Sequence, residues 1–283
     1  MGDLSPISTR IENKKESLIF NFVRHIDAKN ASNSYGYNNP ENVWCVAEVP
    51  ILPMSFYDLD SDNYNATDYT KPMSTSHRDN TSVRMYFAFS ANGLKTGPVF
   101  LIKQYDLQGK WFQPLDDILY SDSTDVHEFT SEKWFPMDSI ALCTGSTEMT
   151  ATDIDKVFSH LNDQIRSISN KNDMKLMFIP AFFANENCGL HHVCDRYHME
   201  FVRFPKKVHS DIDPFQNSIF SLILSAMSKE EHRLDRLHLA SRYTIQMKLM
   251  LGISGFNAIT TAIIVLSFEK CRMWPLKTRL EDI

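Results

Sequence analysis

From Val83 to Ala91 the chain alternates strictly: Val83, Met85, Phe87, Phe89 and Ala91 interleave with Arg84, Tyr86, Ala88 and Ser90. A repeat of two belongs to a strand, whose side chains point to opposite faces, so one face here is apolar and the other mixed. Asn92–Pro98 then supplies two glycines and a proline, the residues a turn needs. Val99–Tyr105 follows as a second strand, apolar enough at its start to be covered on both faces. The spacing predicts a hairpin over Val83–Tyr105 with a seven-residue loop. Other β-prone segments are Val43–Met54, Trp134–Cys143, Lys175–Phe183 and Leu190–Phe204. In the first of these, Pro50 and Pro53 predict an edge or irregular strand.

Helical spacing marks the remainder. Ile11, Leu18, Phe22 and Ile26 fall near one face of a helix over Arg10–Ile26. Ile154, Val157, Phe158, Leu161, Ile165 and Ile168 form a second apolar face, with Thr152 and Asp155 as its capping box. Asp213-Pro214 predicts a helix start, with the helix running to about Ala226. Ser228 and Glu231 predict another, opening a helix towards Met250. The polar runs Ala28–Asn42 and Asp58–Ser82 read as surface chain. Hydrophobic residues make up 43% of the 283, enough for a core, which excludes wholesale disorder. The fold class expected is α+β: an antiparallel sheet or small sandwich over 43–204 with one inserted helix. A helix and polar loop (1–42) precede it and a helical region (205–283) follows.

Leu249–Phe268 has no charge and is twenty residues long, the span of a bilayer's hydrocarbon. Ser254, Asn257 and Thr261 make a polar stripe along it, as an amphipathic core helix would. Both readings stand: a buried helix, or membrane association through 249–268. Lys270, Arg272, Lys277 and Arg279 would suit anionic headgroups in the second. Charge is uneven along the chain, with net −2 over 1–100, −8 over 101–200 and +4 over 201–283. A basic end suits a phosphate-bearing or anionic-membrane partner, or it is the solvated face of ordinary helices. The five cysteines follow no framework spacing, and Met1–Lys29 lacks the apolar core of a secretory signal. An intracellular, reducing compartment is expected.

With nine glycines so dispersed, no Gly-rich loop is set to cradle a pyrophosphate. Also missing are His-Glu-x-x-His, Cys-x-x-Cys and Gly-x-Ser-x-Gly. The chain is therefore expected not to be an enzyme and to need no cofactor. Asp58, Asp60 and Asp62 imitate the start of a calcium loop, but Asn63 and Tyr69 replace its glycine and its bidentate glutamate. Cys188, His192, Cys194 and His198 are zinc-type donors. In a strand they share a face but stretch over ~30 Å, so only a compact turn would close a site. The alternative is a half-buried strand with free thiols. Trp111, Phe112, Trp134 and Phe135 lie in an acidic region and read as core.

Ser82–Gly145 resembles the central part of the thirty-kilodalton superfamily of plant-virus movement proteins. The shared layout is an apolar strand (Arg84 to Phe89), a Gly-bearing turn (Gly93 to Pro98) and a second strand running into an aspartate (Leu101 to Asp106). An aromatic-Pro strand (Trp134 to Ile140) follows. The resemblance implies that Asp106 is the family's near-constant aspartate and Gly145 its downstream glycine, both in structural roles. It implies a non-enzymatic protein that binds viral nucleic acid or nucleocapsid and assists cell-to-cell passage through plasmodesmata. Lys206, Lys207, Arg233, Arg236 and Arg242 are the candidate contacts to nucleic acid or lipid. Two alternatives are a matrix-like, self-associating protein with a membrane-associating C-terminal helix, and a small zinc-binding protein.

Overall fold

Strands β1 (Val43–Pro50) and β2 (Val83–Ser90) pair antiparallel, from Trp44 opposite Ser90 to Pro50 opposite Arg84. β3 (Val99–Lys103) runs back along β2, so the expected hairpin forms. β4 (Ile140–Thr144) joins β3 in parallel, β5 (Lys175–Ile179) joins β1 in parallel, and β6 (Met199–Arg203) joins β5 in parallel. One six-stranded sheet results, in the order β4-β3-β2-β1-β5-β6. This computed structural model describes residues 15–26, 28, 39–52, 83–103, 139–144, 150–170, 173–180, 196–236, 245–271 and 273–274.

The class is α+β with a helical C-terminal region, as expected. The three parallel pairs depart from an all-antiparallel sheet. α2 (Ala151–Ile168) lies between β4 and β5 in sequence, strands that the sheet separates by β3, β2 and β1, so it belongs to the connection that carries the chain across the sheet. β1 is also no edge strand: it lies between β2 and β5. Its proline is tolerated because β5 pairs only with Val43, Trp44 and Cys45, well short of Pro50.

Alternation along the strands separates two layers. Cys45, Ala47 and Val49 join Met85, Phe87 and Phe89 in one cluster, which includes Phe22 and Ile26 of α1 (residues 15–26). The C-terminal helices complete that layer. Trp44, Val46, Tyr86 and Ala88 face the other way, onto Ile154, Val157, Phe158, Leu161 and Ile165 of α2. The second face of the hairpin, mixed in sequence, is therefore covered as well. Its polar groups are paired: Glu48 Oε1 accepts from Arg84 Nη1 (2.9 Å) and Tyr86 Oη (3.1 Å).

The cap of α2 lies two residues before the expected one. Thr150 Oγ1 accepts from Asp153 N, and Asp153 Oδ2 accepts from Thr150 N, a closed capping box. After β6 come the short α3 (His209–Ile212), one π turn (Phe215–Ile219) and α4 (Phe220–Arg236). α4 is continuous past Ala226 and through Ser228, so the predicted break there is absent. Glu231 is instead one of the buried residues of α4.

Candidate functional site

The apolar run 249–268 is not one helix. α5 (Ile245–Asn257) and α6 (Thr261–Lys270) meet at a bend of 72°. Among the described residues no single helix is long and apolar enough to cross a membrane, though this bent pair reaches the length and composition together. The stripe of Ser254, Asn257 and Thr261 is split by the bend: Asn257 ends α5 and Thr261 opens α6.

Both sides of the bend are capped. Thr260 Oγ1 accepts from Ile263 N and starts α6. The turn of the β2–β3 hairpin reaches in from the sheet and closes the end of α5. There Lys95 Nζ donates to the carbonyl oxygens of Phe256 (3.1 Å) and Ile259 (2.7 Å). It also stands 4.1 Å from the centroid of the Phe256 ring. The last carbonyls of a helix lack intrahelical donors, and a cation there answers both their hydrogen bonding and the helix dipole. Burial lowers the Lys95 pKa to about 8. Gly93, two residues earlier, has φ +92°, and a Cβ on it would run into Thr261 at the start of α6. The hairpin turn is thus fitted to the bend by a backbone that only glycine adopts freely.

Gly252 and Gly255, which weaken a helix in isolation, are contact points here. A Cβ on Gly252 would come within 2.8 Å of Phe100 Cε1, and one on Gly255 within 2.7 Å of Ile223 Cγ2. α5 can therefore lie close to β3 and α4. α6 keeps an outward face: Leu266 is 60% exposed, Ala262 is exposed, and Ile263 and Val265 are half-buried. Glu269 and Lys270 end that face in solvent.

The predicted cations fall on two elements. Lys206 and Lys207 are exposed on the turn that leaves β6, an edge of the sheet. Phe204, just before that turn, contacts Phe22 of α1 with ring centroids 5.9 Å apart, and Arg24 of α1 is also exposed. Arg233 and Arg236 are exposed in the last turn of α4, where Arg233 donates twice to Glu230, at 2.9 and 2.7 Å. Asp106, Gly145, Cys188, His192, Cys194 and Arg242 lie outside the described residues, as do the acidic run 58–62 and Trp111, Phe112, Trp134 and Phe135. His198 is described: it has φ 51° at the entry to β6, and its carbonyl accepts from Lys175 N. Among the described residues no group of three His, Cys, Asp or Glu side chains is placed to hold a metal ion.

Lys95 and Asp213 have roles in the fold beyond what their sequence positions mark. Lys95 carries no periodic signal within the turn Asn92–Pro98. Asp213 reads as a helix cap and does cap, since its Oδ1 accepts from Phe215 N at 2.9 Å. It is also fully buried, with the Cys45 thiol 3.8 Å from Oδ1 and no hydrogen-bond partner at Oδ2. Burial raises its pKa to about 7, against the backbone hydrogen bonds from Phe215 and Gln216.

No protein-family model, curated protein or solved structure matches this chain.

Proposed function

We propose that the chain is a non-enzymatic viral movement protein that binds nucleic acid or nucleocapsid and conveys it between cells. The proposal joins the resemblance over Ser82–Gly145 to the way the described polar groups are used. Lys95 caps a helix, Lys175 Nζ donates to Asn42 Oδ1, and Glu48, Arg84 and Tyr86 hydrogen-bond together, so these interior groups hold the scaffold. The observation that carries the binding side is the adjacent exposed pair Lys206 and Lys207 at the sheet edge, within a region of net +4. Paired exposed ammonium groups suit phosphate as point charges.

Filter binding of single-stranded RNA across a salt series tests this reading. Retention at low salt that falls steeply as salt rises is expected, because bound phosphates release their counterions. No retention at low salt, or retention indifferent to salt, overturns it.

The outward face of α6 favours a second reading, a matrix-like protein that associates with anionic membranes and with itself. An exposed leucine beside a basic chain end is the composition of an interfacial helix. Flotation with phosphatidylserine vesicles separates the two readings. Binding that Leu266→Glu abolishes supports the second, and absence of flotation by the unaltered protein removes it.

A further inference from the structure

We infer that the Asp213 carboxyl is a proton-operated latch: protonated, it holds the π turn and the start of α4 against β1, and ionised, it releases that junction.

The geometry has three parts. Asp213 has no exposed surface, and Oδ2 has no hydrogen-bond partner. A buried carboxylate needs a cation or several donors, whereas a neutral carboxyl tolerates the site better. Here the carboxyl has the backbone N–H groups of Phe215 and Gln216 and the thiol of Cys45, a weak donor.

The surroundings offer the charge nothing more. Cys45 is fully buried on β1, and its own pKa is raised by burial, then by Asp213 and Cys271. Cys271 is the buried residue that ends α6. Phe215 packs edge-on against Phe87 (6.1 Å) and Phe220 (5.5 Å). Asp211 at the end of α3 is exposed and pairs with Lys15 of α1, so that cation is taken up at the surface. Burial and hydrogen bonds alone act on the Asp213 carboxyl, and among the described residues no charged side chain of β1, α3, α4 or α6 acts on it.

The location makes the carboxyl a latch. It stands where the chain passes from α3 into the π turn, whose wider ring is a common device at moving or functional points. Asp213 touches β1 on one side and caps the turn on the other. When the carboxyl gives its proton to solvent, the carboxylate gains hydration only if the junction opens. The Cys45 thiol then becomes reachable.

Hydrogen exchange of the full chain at pH 6 and pH 8, corrected for the intrinsic pH dependence, tests the latch. Protection over 209–236 should fall about tenfold at pH 8, as linkage requires for a carboxyl of pKa about 7 when closed and of ordinary value when open. In Asp213→Asn, protection should be equal at the two pH values. Asp213→Ser keeps a capping oxygen without a titratable group and serves if the Asn variant does not fold. Alkylation of Cys45, followed by peptide mass and corrected for thiolate ionisation, should rise about tenfold from pH 6 to pH 8 in the wild type and not in either variant. Wild-type protection that does not change with pH overturns the latch. So does a non-titrating variant that keeps the wild-type pH dependence, or corrected alkylation of the wild type that is equal at the two pH values.

Discussion

The Lys95 ammonium lies 2.7 Å from the carbonyl oxygen of Ile259, joining the sheet's hairpin turn to the bend between α5 and α6 across 164 residues of sequence. The same nitrogen bonds to Phe256, so one side chain supplies donors to both carbonyls. Replacing it with methionine keeps the apolar stem and removes the donors. Lys95→Met should cost about 2 kcal/mol, the scale of a hydrogen bond to a charged group. Urea unfolding checks this through the midpoint, with the slope unchanged.

Gly93→Ala meets two obstacles at once. The position has φ +92°, and the new methyl would press on Thr261 Cγ2. A loss above about 1 kcal/mol is expected, since alanine at positive φ is strained whatever the space. Adding Thr261→Ser removes the methyl that collides and should recover only part of the loss. Full recovery by that second change in a thermal melt would show that the backbone conformation contributes nothing.

The pH dependence of global stability has a definite sign. The folded Asp213 pKa, about 7, is raised above the ordinary carboxyl value. Its contribution is therefore fully present below the ordinary value, about pH 4, and is lost as pH rises through about 7. Lys95 is depressed to about 8, so its contribution is lost as pH falls through 8 and returns only above it. The window between pH 4 and 7 thus carries the Asp213 slope without Lys95. Urea midpoints taken across it should slope less in Asp213→Asn than in the wild type.

Lys206→Ala with Lys207→Ala should weaken RNA binding to the same degree for unrelated sequences. The log–log salt slope should fall by up to about 2, one for each phosphate contact removed. Both side chains are exposed, so the melting temperature should hardly move. An unchanged slope would place the contacts elsewhere.

The hairpin was legible because period two survives in Val83–Ala91 whatever lies outside it. The layer on its second face was not, since Tyr86 and Ala88 become buried only through α2, some sixty residues away. The start of α2 was missed by two residues because Thr150-Ala151-Thr152-Asp153-Ile154-Asp155 contains two overlapping capping boxes. Ser228 looked like a cap and sits inside α4, because local hydrogen bonding yields to a helix already packed on both sides of it. The bend in 249–268 was invisible for a related reason: Thr260 marks one side of it, but Lys95, which fixes the other, is distant in sequence. Of the candidate site, the exposed lysines were readable from charge alone. The buried carboxyl was recognised as a cap, but only its neighbours across the fold reveal how far it is from water.

The parallel pairing of β1 with β5 has a consequence for biosynthesis. Asn42 and Lys175, bonded at the start of those strands, are 133 residues apart. A nascent chain leaving the ribosome can zip β1 to β2 long before β5 exists, and until then β1 shows an unpaired flank. Closure of so large a loop is slow, and chains caught at that stage are prone to stick to one another. Yield in a translation system should accordingly depend on elongation speed and on chaperones that shield that flank.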